Sequence, residues 1–124
     1  MQPLGPGRAP PSTVERGHSA ESLACSALVR AGYIVVERNF RCRAGEIDIV
    51  AREGRVLCFV EVRSRADGKH GHAAEMVGPR KRAYVSRVAG VYLAQRRPRY
   101  SEARFDIVAI TGARLDILRD AWRL

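Results

Sequence analysis

Acidic side chains recur within residues 45–63 at positions where a strand normally carries apolar ones. Glu46 and Asp48 lie in one arm rich in Ile and Val, and Glu61 lies in a second such arm. A Gly-containing polar break separates the two arms, which is the pattern of a β-hairpin. If residues 53–54 form a two-residue turn, the three acids project from one face, with Glu46 directly opposite Glu61.

Three like charges on one patch destabilise a sheet unless a positive charge offsets them. Oxygen ligands favour Mg²⁺, Mn²⁺ or Ca²⁺, so the spacing predicts a divalent cation at this face. The alternative is a solvated strand face whose acids pair with arginines such as Arg43 and Arg63. The other face of the predicted hairpin is apolar and comprises Ile47, Ile49, Ala51, Val56, Cys58, Val60 and Val62.

The charge of the chain favours a polyanionic partner. The 124 residues carry a formal net charge of +9, with 22 Lys and Arg against 13 Asp and Glu. For so small a protein, this excess predicts nucleic acid, either DNA or RNA. The predicted contacts are basic residues at the start of a second helix and beside the hairpin ends. They are Arg80, Lys81, Arg82, Arg87, Arg65 and Arg43.

Composition predicts one globular domain over residues 14–124, after a Pro- and Gly-rich flexible tail over residues 1–13. No apolar stretch approaches the roughly 20 residues that span a bilayer, and the first residues lack the apolar segment of a secretory signal. Three cysteines without a Cys-x-x-Cys pair indicate reduced thiols. We therefore expect a cytoplasmic protein with no membrane partner and no small-molecule cofactor. A homodimer is an open alternative.

Hydrophobic periodicity and turn residues predict the elements that position the acids. The first helix ends near Ala31. Glu21 lies beside its buried stripe and could face the core edge or solvent, and the pattern alone favours solvent. This stripe is predicted at Ala20, Leu23, Ala24, Ala27, Leu28 and Ala31. A strand at 33–36, a polar connection at 37–44 and the hairpin follow. After a loop at 64–78, a second helix begins at Pro79 and is stopped by Pro98. Two strands, at 105–110 and 115–118, complete the chain. This order predicts an α/β layer with a mixed sheet covered by helices. In the loop, His70 and His72 are weak metal candidates, and we expect a solvated loop.

Residues 45–51 together with residues 59–65 resemble the YraN family of small bacterial proteins. The resemblance extends over roughly residues 17–110, and its flanking matches are Gly17, Glu21, Arg38, Asn39, Lys81, Arg104, Phe105 and Asp106. That family is similar to the restriction-endonuclease-like PD-(D/E)xK superfamily, particularly archaeal Holliday-junction resolvases. The resemblance implies an α-β-β-β-α-β core.

The resemblance also implies a metal site and an activity. The implied ligands of Mg²⁺ or Mn²⁺ are Asp48, Glu61 and the Val62 carbonyl, and Glu21 approaches the metal from the first helix. The implied activity is phosphodiester hydrolysis of structured DNA. In that reaction Glu46 or Glu21 holds a second ion or aligns the water.

The chain departs from the superfamily pattern at Arg63, where the motif has a lysine two residues after the glutamate. Arginine stays protonated and cannot act as a base, although it can hold a phosphate. Two interpretations remain open. Either the protein is an active nuclease in which Lys81 or Lys69 reaches the site, or it is a catalytically impaired module that binds nucleic acid or another protein.

Overall fold

The computed structural model describes residues 13–65 and 77–124, with side chains described from Ala20 onward. These ranges contain the helices α1 (Thr13–Arg30) and α2 (Pro79–Arg96) and the strands β1 (Ile34–Cys42), β2 (Gly45–Glu53), β3 (Val56–Arg65), β4 (Glu102–Thr111) and β5 (Arg114–Trp122). The α/β fold and its α-β-β-β-α-β order are confirmed. The predicted tail up to residue 12, and the predicted roles of Lys69, His70 and His72, lie outside the described residues. Neither described helix is long and apolar enough to cross a membrane.

The five strands form one mixed sheet in the order β1-β2-β3-β4-β5. Neighbouring strands are antiparallel except for β3 and β4, which run parallel with Val56 beside Glu102 and Arg65 beside Thr111. Parallel neighbours need a crossover connection, and the segment that contains α2 provides it. The crossover brings the first turn of α2 beside the second half of β3, where Glu61 lies.

Each face of the sheet buries a separate apolar cluster. The cluster under α2 contains Phe40, Ile47, Val50, Leu57, Phe59, Val85, Val88, Ala89, Tyr92 and Phe105. The cluster under α1 contains Ala24, Leu28, Tyr33, Ile49, Ala51, Cys58, Val60, Val108 and Ile110. Both faces of β2 and β3 are therefore buried, which explains why their sequences are nearly continuous runs of Ile, Val, Leu and Phe.

Strand β1 is longer than the sequence predicts. The predicted connection at residues 37–44 is wrong, because β1 continues to Cys42 and leaves Arg43 and Ala44 as a tight turn into β2. β1 is an edge strand, so its charged side chains remain in solvent while its backbone pairs with β2 on one side only. A polar sequence is therefore compatible with a strand at this position.

The buried side of α1 also differs from the prediction. Ala24 and Leu28 are fully buried as expected, but Leu23 is 55% exposed and Glu21 only 7%. Arg38 of β1 lies with its Nε 3.6 Å from Glu21 Oε1. This ion pair lets a carboxylate occupy the buried side, since a buried charge needs a partner. The prediction of a solvated Glu21 is wrong.

Asp106 is a fully buried carboxylate that joins several elements. It accepts hydrogen bonds from the Tyr33 hydroxyl at 2.6 Å, from Arg104 Nε at 2.9 Å and from the Asp120 backbone N–H at 2.9 Å. Arg104 also pairs with Glu53 at the end of β2. This network connects the segment after α1 to β2, β4 and β5, which gives Arg104 and Asp106 a structural role.

Gly45 allows α2 to lie close to the start of β2. Its φ of +140° is a conformation that residues with a side chain rarely adopt. A Cβ atom at this position would overlap the Tyr84 hydroxyl and ring. In the present geometry the Tyr84 hydroxyl accepts a hydrogen bond from the Glu46 N–H at 3.0 Å. A glycine is therefore required for the packing of α2 beside the acidic residues.

We predict that Gly45→Ala lowers the free energy of unfolding by about 2–4 kcal/mol, through backbone strain and displacement of Tyr84. Gly90→Ala is the matched control, because Gly90 lies within α2 with open space around its Cα. That change should raise stability by about 0.5–1 kcal/mol. Denaturant unfolding of both variants measures the difference, and equal effects of the two changes would contradict this role of Gly45.

Candidate functional site

The β2–β3 hairpin turns at residues 54–55, one residue later than predicted, so that Glu53 pairs with Val56. Residues 52–55 are all polar or glycine, and Gly54 can take either central position of a two-residue turn. The sequence is therefore compatible with a turn at 53–54 or at 54–55. The one-residue displacement changes every cross-strand partner by two residues while leaving the side-chain faces of β3 unchanged. The predicted pairing of Glu46 with Glu61 is therefore wrong.

Asp48 lies at the point where β2 separates from β3. The regular pairing ends at Ile49 and Val60. Beyond it, Asp48 Oδ2 accepts a hydrogen bond from the Val62 N–H at 2.8 Å. This bond holds the Asp48 carboxylate beside the residue that follows Glu61. Ile47 packs under α2, not on the face of Ile49 as predicted, because the alternation of β2 breaks at Asp48.

Asp48 and Glu61 form an acidic pair in which Glu61 is buried and Asp48 is partly buried. Glu61 is only 2% exposed. Desolvation raises the pKa of Glu61 to about 7, with a further contribution from the negative charge of Asp48. Burial likewise raises the pKa of Asp48. The alternative of a solvated strand face therefore does not hold for Glu61.

Lys81 supplies a positive charge to this acidic pair from the first turn of α2. Its Nζ lies 3.6 Å from Glu61 Oε2 and 4.8 Å from the centre of the Tyr84 ring. The ammonium charge lowers the pKa of both carboxylates and so opposes the effect of burial. Pro79 begins the helix two residues earlier, as predicted. Of the two lysines considered from the sequence, Lys81 therefore reaches the acids.

Arg63 lies on the same side of β3 and adds a second positive charge. Its charge lowers the pKa of both Asp48 and Glu61. Its Nε is buried and forms no hydrogen bond with any residue that the structure describes. A buried N–H without an acceptor is unfavourable, and such groups are more frequent at functional sites than elsewhere in a fold.

Glu46 and Glu21 lie outside the acidic pair. Glu46 is half exposed and forms an ion pair with Arg41, with 3.1 Å between Oε2 and Nε. Within residues 13–65 and 77–124 no three His, Cys, Asp or Glu side chains are grouped at metal-binding spacing. The predicted patch of three acids is thus reduced to Asp48 and Glu61.

The predicted nucleic-acid contacts are not equally exposed. Arg80, Arg87 and Arg43 are exposed, and Arg65 is partly buried. Arg82 is partly buried too, because its Nε donates to the Val77 carbonyl at 2.9 Å and its guanidinium lies over the Trp122 ring. Arg82 therefore has an internal structural role that the sequence did not indicate.

Tyr84 lies at the site, although it was not among the residues predicted there from the sequence. A cavity of about 300 Å³ borders the site and is lined by Arg41, Cys42, Gly45, Glu46 and Tyr84. The hydroxyl of Tyr84 binds the Glu46 N–H, while its ring contacts Lys81. The i,i+3 spacing of Lys81 and Tyr84 on one helix was the available signal.

Residues 20–110 match the family described as Uncharacterised protein family UPF0102. The chain belongs to the UPF0102 family. It is 42% identical over 112 residues to a UPF0102 protein of Syntrophus aciditrophicus, covering 87% of this chain and 88% of the relative. It is 46% identical over 95 residues to a UPF0102 protein of Geobacter metallireducens, covering 77% and 78%. UPF0102 is the YraN family that the hairpin motif resembles, and the matched range covers the positions of Asp48, Glu61, Arg63 and Lys81.

We predict that Glu61→Gln stabilises the protein at pH 8 in the presence of a chelator. Because the pKa of Glu61 is raised from 4.5 to about 7, its contribution to stability is complete below pH 4.5 and is lost as the pH rises through 7. The substitution should therefore add about 2–3 kcal/mol at pH 8 and little at pH 4. Denaturant unfolding across this range measures the effect. Glu102→Gln, at an exposed acid of β4, is the matched control and should not add stability at pH 8, and equal curves for the two variants would contradict the prediction.

Proposed function

We propose that this UPF0102 protein is a metal-dependent phosphodiester hydrolase that acts on structured DNA. The observation that carries the proposal is the position of Lys81, whose Nζ lies 3.6 Å from Glu61 Oε2. The strand has Arg63 where the superfamily motif has a lysine, and α2 brings a lysine to the acidic pair instead. The combination of two carboxylates and one lysine that the superfamily resemblance implies is thus present.

The acidic pair fits a hard divalent cation. Removal from solvent raises the pKa of both carboxylates, which means that their ionised forms are unfavourable. A positive charge beside their oxygen atoms would stabilise these ionised forms. Asp48, Glu61 and the Val62 carbonyl would hold Mg²⁺ or Mn²⁺, with water completing the coordination. When bound, such an ion lowers the pKa of a water molecule and polarises a phosphoryl oxygen.

Lys81 and Arg63 have complementary roles in this proposal. The Lys81 ammonium has three N–H donors, so it can hold Glu61 and still donate to the attacking water or to a phosphate oxygen. Arg63 stays protonated and is only partly buried, so its guanidinium can donate to a non-bridging oxygen of the scissile phosphate. Lys81 therefore positions the reacting groups, while Arg63 stabilises the negative charge that develops on the phosphate.

The basic surface beside the acids supports binding of a nucleic-acid backbone. Arg80 and Arg87 on α2 are exposed, and the first turn of α2 contains no acidic residue. A helix N-terminus favours anions through its free N–H groups and its dipole. Contacts of this type position a phosphate backbone without reading its bases, so we expect little sequence preference.

Millimolar Mn²⁺ is expected to raise the melting temperature of the wild type, because a ligand that binds only the folded state stabilises it. Asp48→Asn should abolish this shift. Asp116→Asn, at a partly exposed aspartate of β5, is the matched control and should retain it. A wild type that does not respond to Mn²⁺, or an Asp48→Asn variant that responds fully, would contradict the metal site.

We predict Mg²⁺-dependent cleavage in an assay with linear, flapped and four-way DNA. Asp48→Asn and Lys81→Arg should each lower the rate by at least about 100-fold. The first change removes a metal ligand, and the second removes the ammonium group that positions the attacking water or the phosphate. Arg63→Lys should lower it by about tenfold, through loss of the planar phosphate contact. Fluorescence anisotropy must show that the variants still bind the DNA.

The outcomes separate the alternatives. A wild type that binds DNA but cleaves none of the substrates would favour a catalytically impaired nucleic-acid-binding module. An increase in cleavage with Arg63→Lys would mean that the loss of the strand lysine weakened catalysis and that Lys81 does not replace it. A wild type that binds neither DNA nor RNA at low salt with Mg²⁺ would exclude both nucleic-acid functions and favour a protein partner.

A further inference from the structure

A second cavity, which is lined by arginines, lies at the hairpin turn, at the other end of β2 from Asp48. Its volume is about 490 Å³, within the range of ligand-binding pockets. It lies where the β2–β3 turn meets the segment between α2 and β4. The residues that line it are Arg52, Gly54, Arg55, Arg99, Tyr100 and Ser101.

The cavity is rich in positive charge that no neighbouring acid offsets. Arg52, Arg55 and Arg99 form no ion pair with any residue in the described part of the chain. The glutamates of the adjoining segments already have other partners. They are Glu37, which pairs with Arg96, Glu53, which pairs with Arg104 and Arg119, and Glu102, which pairs with Arg123. Three guanidinium groups are thus available to an anionic ligand.

The same cavity presents an aromatic ring and a fixed wall. Tyr100 is 43% exposed, and its ring stacks on no other ring or cation of the described residues. Its neighbour Ser101 donates hydrogen bonds from its backbone N–H and its hydroxyl to the Arg55 carbonyl, at 3.1 and 3.3 Å. These bonds hold the segment before β4 against the hairpin turn. Arginines around an exposed aromatic ring are the composition of sites that bind single-stranded nucleic acid.

We propose that this cavity binds one nucleotide of a nucleic-acid strand, with its phosphate on the arginines and its base on Tyr100. The proposal rests on the nucleic-acid binding proposed above and does not depend on cleavage. A free nucleotide offers the same chemistry, so the experiment below includes one. The strand is favoured because the protein carries a net charge of +9 and a second basic surface at the other end of α2.

The distance between the two sites defines how long a bound strand must be. Six residues of β2 separate Asp48 from Gly54, which is about 20 Å at the rise of an extended strand. The helix gives a similar value, since the residues from Lys81 to Arg96 span about 23 Å. The axial rise per nucleotide is about 3.4 Å in a stacked DNA strand and roughly twice that in an extended one, so the sites would be about three to seven nucleotides apart. A dinucleotide cannot occupy both sites, whereas an oligonucleotide of twelve can.

The test measures the Kd of labelled two- and twelve-nucleotide DNA by fluorescence anisotropy, with every protein in the Asp48→Asn background to prevent cleavage. Arg55→Ala/Arg99→Ala and Tyr100→Ala should each weaken binding of the twelve-mer by about tenfold and weaken binding of the dinucleotide less, because a dinucleotide can still bind at the other basic surface. The double variant should also reduce the log–log salt slope for the twelve-mer by about 1.4, the value for two phosphate contacts of a single strand. Thermal melts check that the variants are folded.

The matched control is Arg30→Ala/Arg114→Ala, which removes two exposed arginines and changes the net charge equally. An equal loss of affinity in this control would mean that net charge alone acts, and would overturn the proposal. A loss that is the same for both oligonucleotides would overturn it as well. Tight binding of free AMP that the cavity substitutions abolish, with twelve-mer affinity unchanged, would assign the cavity to a free nucleotide instead.

Failure of the proposed function gives a different result from failure of this inference. If the parent protein binds neither oligonucleotide at low salt, nucleic-acid binding itself is wrong and this inference falls with it. If the parent binds both and the cavity substitutions change neither Kd, only the inference about the cavity is overturned.

Discussion

The removal of two neighbouring carboxylates from solvent is the constraint on which the candidate site depends. Asp48 and Glu61 lie side by side with little access to solvent, so their ionised forms are unfavourable without a nearby positive charge. The fold supplies that charge from a different layer, because the crossover between β3 and β4 carries Lys81 onto Glu61. The parallel strand pair, the start of α2 and the close approach at Gly45 all contribute to this single contact.

Buried charged groups have different partners on the two faces of the sheet. On the α1 face, the Asp106 carboxylate has three hydrogen-bond donors, and its main partner Arg104 is itself paired. On the α2 face, the acidic pair shares one lysine, and the buried Nε of Arg63 has no described acceptor. Satisfied groups of the first kind hold a fold together, whereas unsatisfied groups of the second kind are typical of binding and catalytic sites.

The sequence predicted the element order, the acidic hairpin and the second helix, because their periodicity and their Gly and Pro residues are strong local signals. It did not predict the turn position, since Gly54 fits a turn that begins at either Glu53 or Gly54. The burial of Glu21 depends on Arg38 from another element, which no local pattern contains. In the same way, the contact between Lys81 and Glu61 arises from tertiary packing across 20 residues of chain.

Because Lys81 is carried by a helix and not by the strand itself, ionisation of the acids and docking of α2 are thermodynamically linked. The docked helix lowers the pKa of Asp48 and Glu61, so loss of their protons must in turn strengthen the docking of the helix by the same free energy. In the proposed function, a divalent cation on the two carboxylates would share this role with the ammonium group. Under that proposal, metal affinity and the position of the first turn of α2 would form one coupled equilibrium.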